Sequence, residues 1–392
     1  MTSTVRADVR ARLERSGLML PDYRGRSLSG VLPAAAAALG VEVPDGARRR
    51  DQLGLPRTER VCVVLVDGLG QENLAERSGH APFLRSLLTG SKALQAGYPS
   101  TTAASMGSFG TGTSPGRTAM LGYTVRNPES GALANLVSWT DLPPARSWQR
   151  EPTVLEAMAD AGVTVTSVGP KKFHGSGLTE AALRGGDHVS AELLSDRVDT
   201  AARLLRRPGL VYLYWGDVDK TGHHHGWGSW QWGDALSTLD GELARLARLL
   251  PPGTTVLVTA DHGMVDVDLG LRWDAGTDPV LSAGVPMTSG EPRALHLHLD
   301  ADADPIAVRD RWQEVLGRHG VVLTRDEAVG AGLFGPVAEH VLPVVGDLVV
   351  ATAGRATVVD SRTQTPASLE LRGVHGSLTP TELRVPLLVW QD

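Results

Sequence analysis

The chain has 392 residues, 42% of them hydrophobic, 21% charged and 5% aromatic, with 45 Gly and 24 Pro. This is the composition of a soluble globular protein long enough to bury a sizeable core, and it excludes a fibre, a disordered tail and a small stapled module. The 38 Lys and Arg against 44 Asp and Glu give a net charge of -6 without long like-sign runs, which excludes nucleic-acid or anionic-membrane binding through a broad basic face.

In chain order, residues 1–55 read as a helical lead-in with an exposed tip at Arg48, Arg49, Arg50 and Asp51. Met1 to Leu20 is dotted with Arg and has no continuous apolar stretch before a cleavage site, so no secretory signal is expected. The alanine run Val31 to Leu39 is too short to span a bilayer. A cytoplasmic protein without a membrane partner is the expectation. From residue 56 onward, short apolar runs alternate with amphipathic stretches. The runs Val61–Val66, Val163–Val168, Leu210–Trp215, Thr254–Thr259 and Val385–Val389 look like strands buried on both faces, with Cys62, the single cysteine, as a small core residue. Helical patterns cover Pro82–Leu88, Pro152–Ala161, Ala191–Arg206 and Asp234–Leu249. The alternation predicts an α/β fold, an α/β/α sandwich around a mostly parallel central sheet. Two stretches break the rhythm. Gly122–Gln149, rich in Asn, Pro, Ser and Trp, reads as a lid or substrate-facing loop. The region at about 268–372 reads as a small α+β insertion, with alternation over Arg293–Leu299, a helix over Pro305–Leu316 and two strands within Asp347–Val359.

Ligands of open α/β sheets collect beyond the carboxyl ends of the strands. Asp67-Gly68 follows the first run; Asp217, Asp219 and the cluster His223, His224, His225 follow the third; Asp261-His262-Gly263 follows the fourth. One Asp after a strand is ordinary turn chemistry. Three strands delivering Asp and His to one edge argue for metal, and hard carboxylates with neutral imidazoles suit zinc or manganese. With one cysteine in the chain, a cysteine-built site is ruled out. The segment Tyr98-Pro-Ser-Thr-Thr-Ala-Ala-Ser105 offers hydroxyls where a helix can begin, a place that favours a bound phosphate. Simple N-capping by Ser100 or Thr101 is the alternative for the same residues.

Taken in order, Asp67, Pro99-Ser-Thr-Thr102, Asp219-Lys-Thr-Gly-His223, Asp261-His262-Gly-Met264 and Gly373-Val-His375-Gly376 resemble the alkaline phosphatase superfamily, and within it the nucleotide pyrophosphatase/phosphodiesterase branch. The resemblance runs from about Val61 to Pro386. It implies an alkaline phosphatase-like catalytic domain over 56–392 and two divalent metal ions, most simply Zn2+, one held by Asp219, His223 and His375 and the other by Asp67, Asp261 and His262. It implies Thr102 as the nucleophile and a ligand of the second ion, a phosphothreonine intermediate and two in-line displacements with retention at phosphorus. Ser105 stands where many relatives carry an Asn that contacts the phosphoryl oxygen, which leaves the backbone N–H of Ala103 to share that role.

The function expected is therefore hydrolysis of a small-molecule phosphodiester or nucleotide pyrophosphate. The alternatives are a phosphomonoesterase of the same superfamily and a catalytically silent binding module. A monoesterase needs an extra cation for which Arg117 is a distant candidate, and a sulfatase is disfavoured because Cys62 lacks the Pro and Arg that follow a formylglycine precursor. Trp139, Trp148, Trp227, Trp230 and Trp232 either stack a substrate or pack; His224 and His225 fall outside the ligand pattern.

Overall fold

The structure, a computed structural model, describes residues 2–391. The strands of its two six-stranded sheets are β1 Arg60–Val66, β2 Thr124–Arg126, β3 Leu133–Asn135, β4 Val165–Gly169, β5 Asp187–Ser190, β6 Gly209–Trp215, β7 Thr254–Thr259, β8 Met287–Glu291, β9 Ala294–His298, β10 Gly320–Thr324, β11 Leu348–Thr352 and β12 Leu387–Gln391. The central sheet has six strands in the order β12-β7-β1-β6-β4-β5. All pairings in it are parallel except that of β12 with β7. Residues 61–66 of β1 are fully buried, as a strand covered by helices on both faces requires. The helices Leu194–Leu204, Trp230–Leu249 and Pro82–Leu88 pack among themselves, and Val31–Ala38, Thr102–Thr111 and Val154–Asp160 form a second group. No described helix is long and apolar enough to cross a membrane.

The apolar run ending at Val389 is split by Pro386, which supplies no N–H to a ladder, and its second part returns antiparallel beside β7. Strand β5, half-exposed at the sheet edge, lacks the apolar signature and is invisible in the hydrophobic pattern. The tip at Arg48–Asp51 is not uniformly exposed: it lies in the helix Gly46–Leu53, and Arg49 is buried, its guanidinium donating to the carbonyls of Tyr23 and Gly25 at 2.7 and 2.6 Å.

A second six-stranded sheet runs in the order β10-β11-β9-β8-β2-β3. Its last two strands come from the irregular stretch after Gly122, which therefore joins the region at 268–372 in one sheet instead of forming a free loop. Leu295 and Leu297 of β9 pack on Trp312 and Leu316 of the helix Pro305–Leu316 in a separate small core. The alternate positions His296 and His298 are also buried, because the other face of this sheet lies on the main body, where His296 stacks on Phe334. His296 accepts from Gly346 N–H at Nδ1 and faces the Leu121 carbonyl with Nε2, so the neutral ring is satisfied on both sides.

The hairpin β8–β9 pins the two sheets together. Arg293, fully buried, makes a two-pronged ion pair with fully buried Glu382 at 2.7 Å on each arm and donates to the Ala356 carbonyl. Glu382 in turn accepts from Ser377 N–H, and its carbonyl accepts from Gly263 N–H. Removing one member of such a pair leaves a buried charge uncompensated. Arg293→Ala is expected to cost about 3–5 kcal/mol in urea unfolding.

Burial, with His298 adding to it, pushes His296 down to about 3, and burial pushes His298 down to about 4. A base depressed on folding gives stability that is present above the unfolded value of about 6.5 and lost as pH falls toward the folded value. Stability should therefore decline between pH 6.5 and 4, and His296→Asn should make that decline shallower by up to about 1.4 kcal/mol per pH unit, read from denaturant midpoints across the range.

Candidate metal centre and cavity

Three adjacent strands of the central sheet end in the candidate ligands. Asp67 follows β1, Asp261 and His262 follow β7, and after β6 the helix Asp217–His225 carries Asp219 in its first turn and His223 one turn later. The chain must turn sharply at Gly68 (φ 73°), where a Cβ would lie 2.9 Å from the Asp219 carboxylate. Its N–H donates to Asp261 Oδ1 at 3.1 Å.

His375 arrives on a loop tied to the segment before Thr102. Ser100 N–H donates to the Gly376 carbonyl at 2.9 Å, and Ser100 Oγ donates to the Ser377 carbonyl at 2.6 Å. Thr102 opens the helix Thr102–Thr111, with Thr101 in the N-cap position. Neither predicted cap forms: the Thr101 side chain makes no capping bond, and the Ser100 hydroxyl is committed to Ser377. Ser105 N–H makes the first bond of the helix, so the N–H groups of Ala103 and Ala104 have no carbonyl partner within it.

All seven sequence-predicted positions converge. Ligand atoms of Asp219, His223 and His375 lie within 4.8 Å of one another, as do those of Asp67, Asp219 and His262. Asp219 thus belongs by distance to both groups. Asp261 Oδ2 stands 3.4 Å from His262 Nε2, and Thr102 Oγ1 stands 3.2 Å from the same nitrogen. Each imidazole turns Nδ1 to a backbone carbonyl: His223 to Gly373 at 2.7 Å, His262 to Gly263 at 3.1 Å and His375 to Ser100 at 3.2 Å. A carbonyl only accepts, so Nδ1 carries the hydrogen, and Nε2 is left with a lone pair aimed at the carboxylates.

Asp67 Oδ1, Asp219 Oδ1 and Asp261 Oδ2 are buried without a hydrogen-bond partner among the described residues. Acceptor lone pairs and carboxylate oxygens facing one another in a buried cluster lack donors, and a divalent cation supplies what is missing. The residues fit a metal. Without an ion, burial, reinforced by the charges of Asp261 and Asp219, raises Asp67 well above the usual carboxylate range, and burial raises Asp261 as well. Burial works against the ionised form of Asp219 too, but His223 outweighs it and holds this carboxyl low. For His223 the Asp219 charge overcomes burial and lifts the imidazole to about 9.

Asp67, Thr102, Asp219, His223 and His375 line a cavity of about 900 Å³, while Asp261 and His262 lie behind its lining. Its walls include Tyr123 and Val137 from the second sheet's edge, Lys172 and Phe173 after β4, and Glu291 at the end of β8. Burial pushes Glu291 up to about 8, the Thr101 hydroxyl opposing. The tryptophans singled out from sequence do not line this cavity. Trp148 and Trp232 are buried in packing, Trp139 bonds the Pro143 carbonyl, and Trp230, though 70% exposed, borders a separate depression with Asp217, His224 and His225. Lys172 and Phe173 follow a strand end just as Asp67 does, so the strand-end rule applied to β4 finds them. Glu291 comes from the insertion and has no such signal. Ser105 is buried and lies outside the cavity lining, and Arg117 pairs with Glu151 away from it.

Residues 61–378 match the type I phosphodiesterase / nucleotide pyrophosphatase family. Among solved structures the fold is similar to murine ectonucleotide pyrophosphatase / phosphodiesterase 5, with a TM-score of 0.67 and 16% identity over 84% of this chain and 87% of that one. An inactive form of that murine protein is known in complex with AMP. The fold is also similar to phosphonoacetate hydrolase from Sinorhizobium meliloti 1021 in complex with phosphonoacetate, with a TM-score of 0.65 and 22% identity over 85% of this chain and 90% of that one. Phosphopentomutase of Shewanella frigidimarina is 31% identical over 152 residues, which are 38% of this chain and 35% of that protein. The chain spans about a third of the length of the curated relatives it matches.

If this cluster holds divalent ions, stripping them with a chelator should lower the melting temperature. Adding Zn2+ back at 100 times its dissociation constant should return about 2.7 kcal/mol per site. Asp219→Ala, which removes the residue common to both groups, should abolish most of this metal-dependent shift in scanning calorimetry.

Proposed function

The chain belongs to the type I phosphodiesterase / nucleotide pyrophosphatase family of phosphoric ester hydrolases, and from that premise we propose that it is a metal-dependent enzyme cleaving a small-molecule phosphodiester or nucleotide pyrophosphate through a phosphothreonine on Thr102. The observation that carries this reading is the Thr102 hydroxyl at an uncapped helix start, 3.2 Å from His262 Nε2, which itself stands 3.4 Å from carboxylate oxygens of Asp67 and Asp261. Asp219, His223 and His375 would hold one ion and Asp67, Asp261 and His262 the other, with Thr102 as a further ligand. Zn2+ suits this mixture of carboxylate and imidazole. When bound, such ions acidify a coordinated hydroxyl or water and neutralise charge on the phosphoryl and leaving oxygens. In this reading residues 56–392 are the catalytic unit, and the part at about 268–372 is inserted in it.

Thr102 Oγ1 attacks phosphorus in line, the bond to the leaving oxygen breaks, and the phosphoryl group stays on Thr102. Water then attacks from the opposite side and the Thr102 oxygen departs with its proton restored. Two inversions give net retention. The Nδ1 bond to the Gly263 carbonyl keeps His262 Nε2 facing the nucleophile. The N–H groups of Ala103 and Ala104, which have no carbonyl partner within the helix, would serve phosphoryl oxygens, a role for which Ser105, outside the cavity lining, is not placed.

Diesters are favoured over monoesters because no arginine is among the described residues lining the cavity, while the Glu291 carboxyl is. A dianionic monoester needs more positive charge than a monoanionic diester does, and Lys172 is the one lysine among the described lining residues. The convergence of all the ligand positions with a hydroxyl supports an enzyme over a silent module.

The test is steady-state hydrolysis of bis-p-nitrophenyl phosphate against p-nitrophenyl phosphate, with Zn2+ and after chelation. Turnover should be metal-dependent and faster on the diester. It should fall by about three orders of magnitude or more in Thr102→Ala and persist in part in Thr102→Ser. Faster monoester turnover would assign the protein to the phosphatase alternative.

A further inference from the structure

Glu291 takes no part in the reaction above, yet the fold builds a place for it. It ends β8, is 8% exposed and lines the cavity, and its Oε1 has no hydrogen-bond partner among the described residues. Its Oε2 lies 3.9 Å from His375 Nδ1, the nitrogen that also faces the Ser100 carbonyl at 3.2 Å. The backbone beside it is shaped to fit. Gly376 has φ 129°, and a Cβ there would stand 2.8 Å from Glu291 Cγ and 3.0 Å from Cδ, so the carboxyl rests against the loop that carries His375 only because residue 376 is glycine. The same hairpin grips that loop a second time, through Arg293, Glu382 and Ser377 N–H.

A carboxylate beside the far nitrogen of a metal-binding histidine fixes the ring and raises its basicity toward the metal. We propose that Glu291 is a positioning residue for His375: its carboxyl, 3.9 Å from Nδ1, acts through space on the ring whose Nδ1–H goes to the Ser100 carbonyl, favours the orientation that holds Nε2 toward Asp219, and so sets the affinity of the Asp219/His223/His375 group for its divalent ion. The inference rests on the two-metal reading of the centre. It gives the insertion sheet a hand in metal loading, since the other group at this nitrogen is the Ser100 carbonyl, from the segment before the Thr102 helix.

The test is calorimetric titration of the chelator-stripped full chain with Zn2+, for the native protein, Glu291→Gln and Glu291→Ala. Two sites are expected in the native protein. In Glu291→Ala one site should weaken roughly 10- to 100-fold while the other keeps its affinity. Glu291→Gln, which keeps an acceptor oxygen but loses the charge, should fall between. Urea midpoints of the stripped proteins separate this from a folding role, and if Glu291→Ala does not fold, Glu291→Gln decides alone. Native affinity at both sites in the variants overturns the inference and leaves the two-metal reading standing, as does equal weakening of both sites with a lowered urea midpoint. A native protein that binds no Zn2+ overturns both.

Discussion

Two buried aspartates, Asp67 and Asp261, beside a third, Asp219, whose side chain is 14% exposed, are the constraint around which this molecule is arranged. At an effective dielectric near 20, two ionised groups 4.8 Å apart repel by about 3.5 kcal/mol, and burial adds its own penalty to each. Among the described residues the ion-pair partners of these aspartates are imidazoles, of which Asp219 lifts His223 to about 9. Such an arrangement is tolerable only with cations between the groups or with protons on them. Holding it is the task of the surrounding structure: strands β1, β6 and β7, buried over nearly their whole length, set Asp67, Asp261 and the helix that carries Asp219 at neighbouring strand ends, and Gly68 removes the side chain that would push Asp219 away.

The remaining parts come from far along the chain and are held by a second set of buried polar contacts. Glu382 receives Arg293 from the insertion and Ser377 N–H from the His375 loop, and its carbonyl receives Gly263 N–H from the His262 turn. One side chain and its own backbone thus tie together two histidine-bearing loops and a second sheet. Ser100 does the same on a smaller scale, its N–H, carbonyl and hydroxyl all directed to residues 375–377, which sets the start of the Thr102 helix against His375. The start of the Thr102 helix, the His262 turn and the His375 loop are therefore joined to one another and to the β8–β9 hairpin through hydrogen bonds.

Much of this was legible because the strands that carry the site are apolar on both faces. A run such as Val61–Val66 can be read without knowing its neighbours, and the polar residue that ends it stands out. The last strand was legible as an element but not in its direction, since Pro386 separates two short pieces whose pairing depends on what lies beside them. Strand β5 was not legible at all, because a half-exposed edge strand has no apolar contrast to show. In β9 the alternation of Leu with His was correct as a strand signal, but both faces are buried, one against Trp312 and one against Phe334, so alternation did not mean exposure. Of the tryptophans, read as stacking or packing groups, Trp148 and Trp232 are packed in the core and Trp230 is exposed beside a separate depression, while the cavity takes its aromatic character from Tyr123, Phe173, Tyr212 and Tyr214.

By itself the sequence determined the α/β class, the strand ends that deliver Asp67, Asp219, His223, Asp261 and His262, and the order of motifs that places the chain in its family. These depend on local pattern: hydrophobic run length, and the residue that follows it. Only the tertiary structure decided that Asp219 stands close to both ligand groups, that the Thr102 helix starts without a side-chain cap, that Arg49 is buried, and that Glu291 rests behind His375. Each of these is a contact between segments distant in the chain, and its existence depends on how sheets and loops pack, which no local spacing encodes.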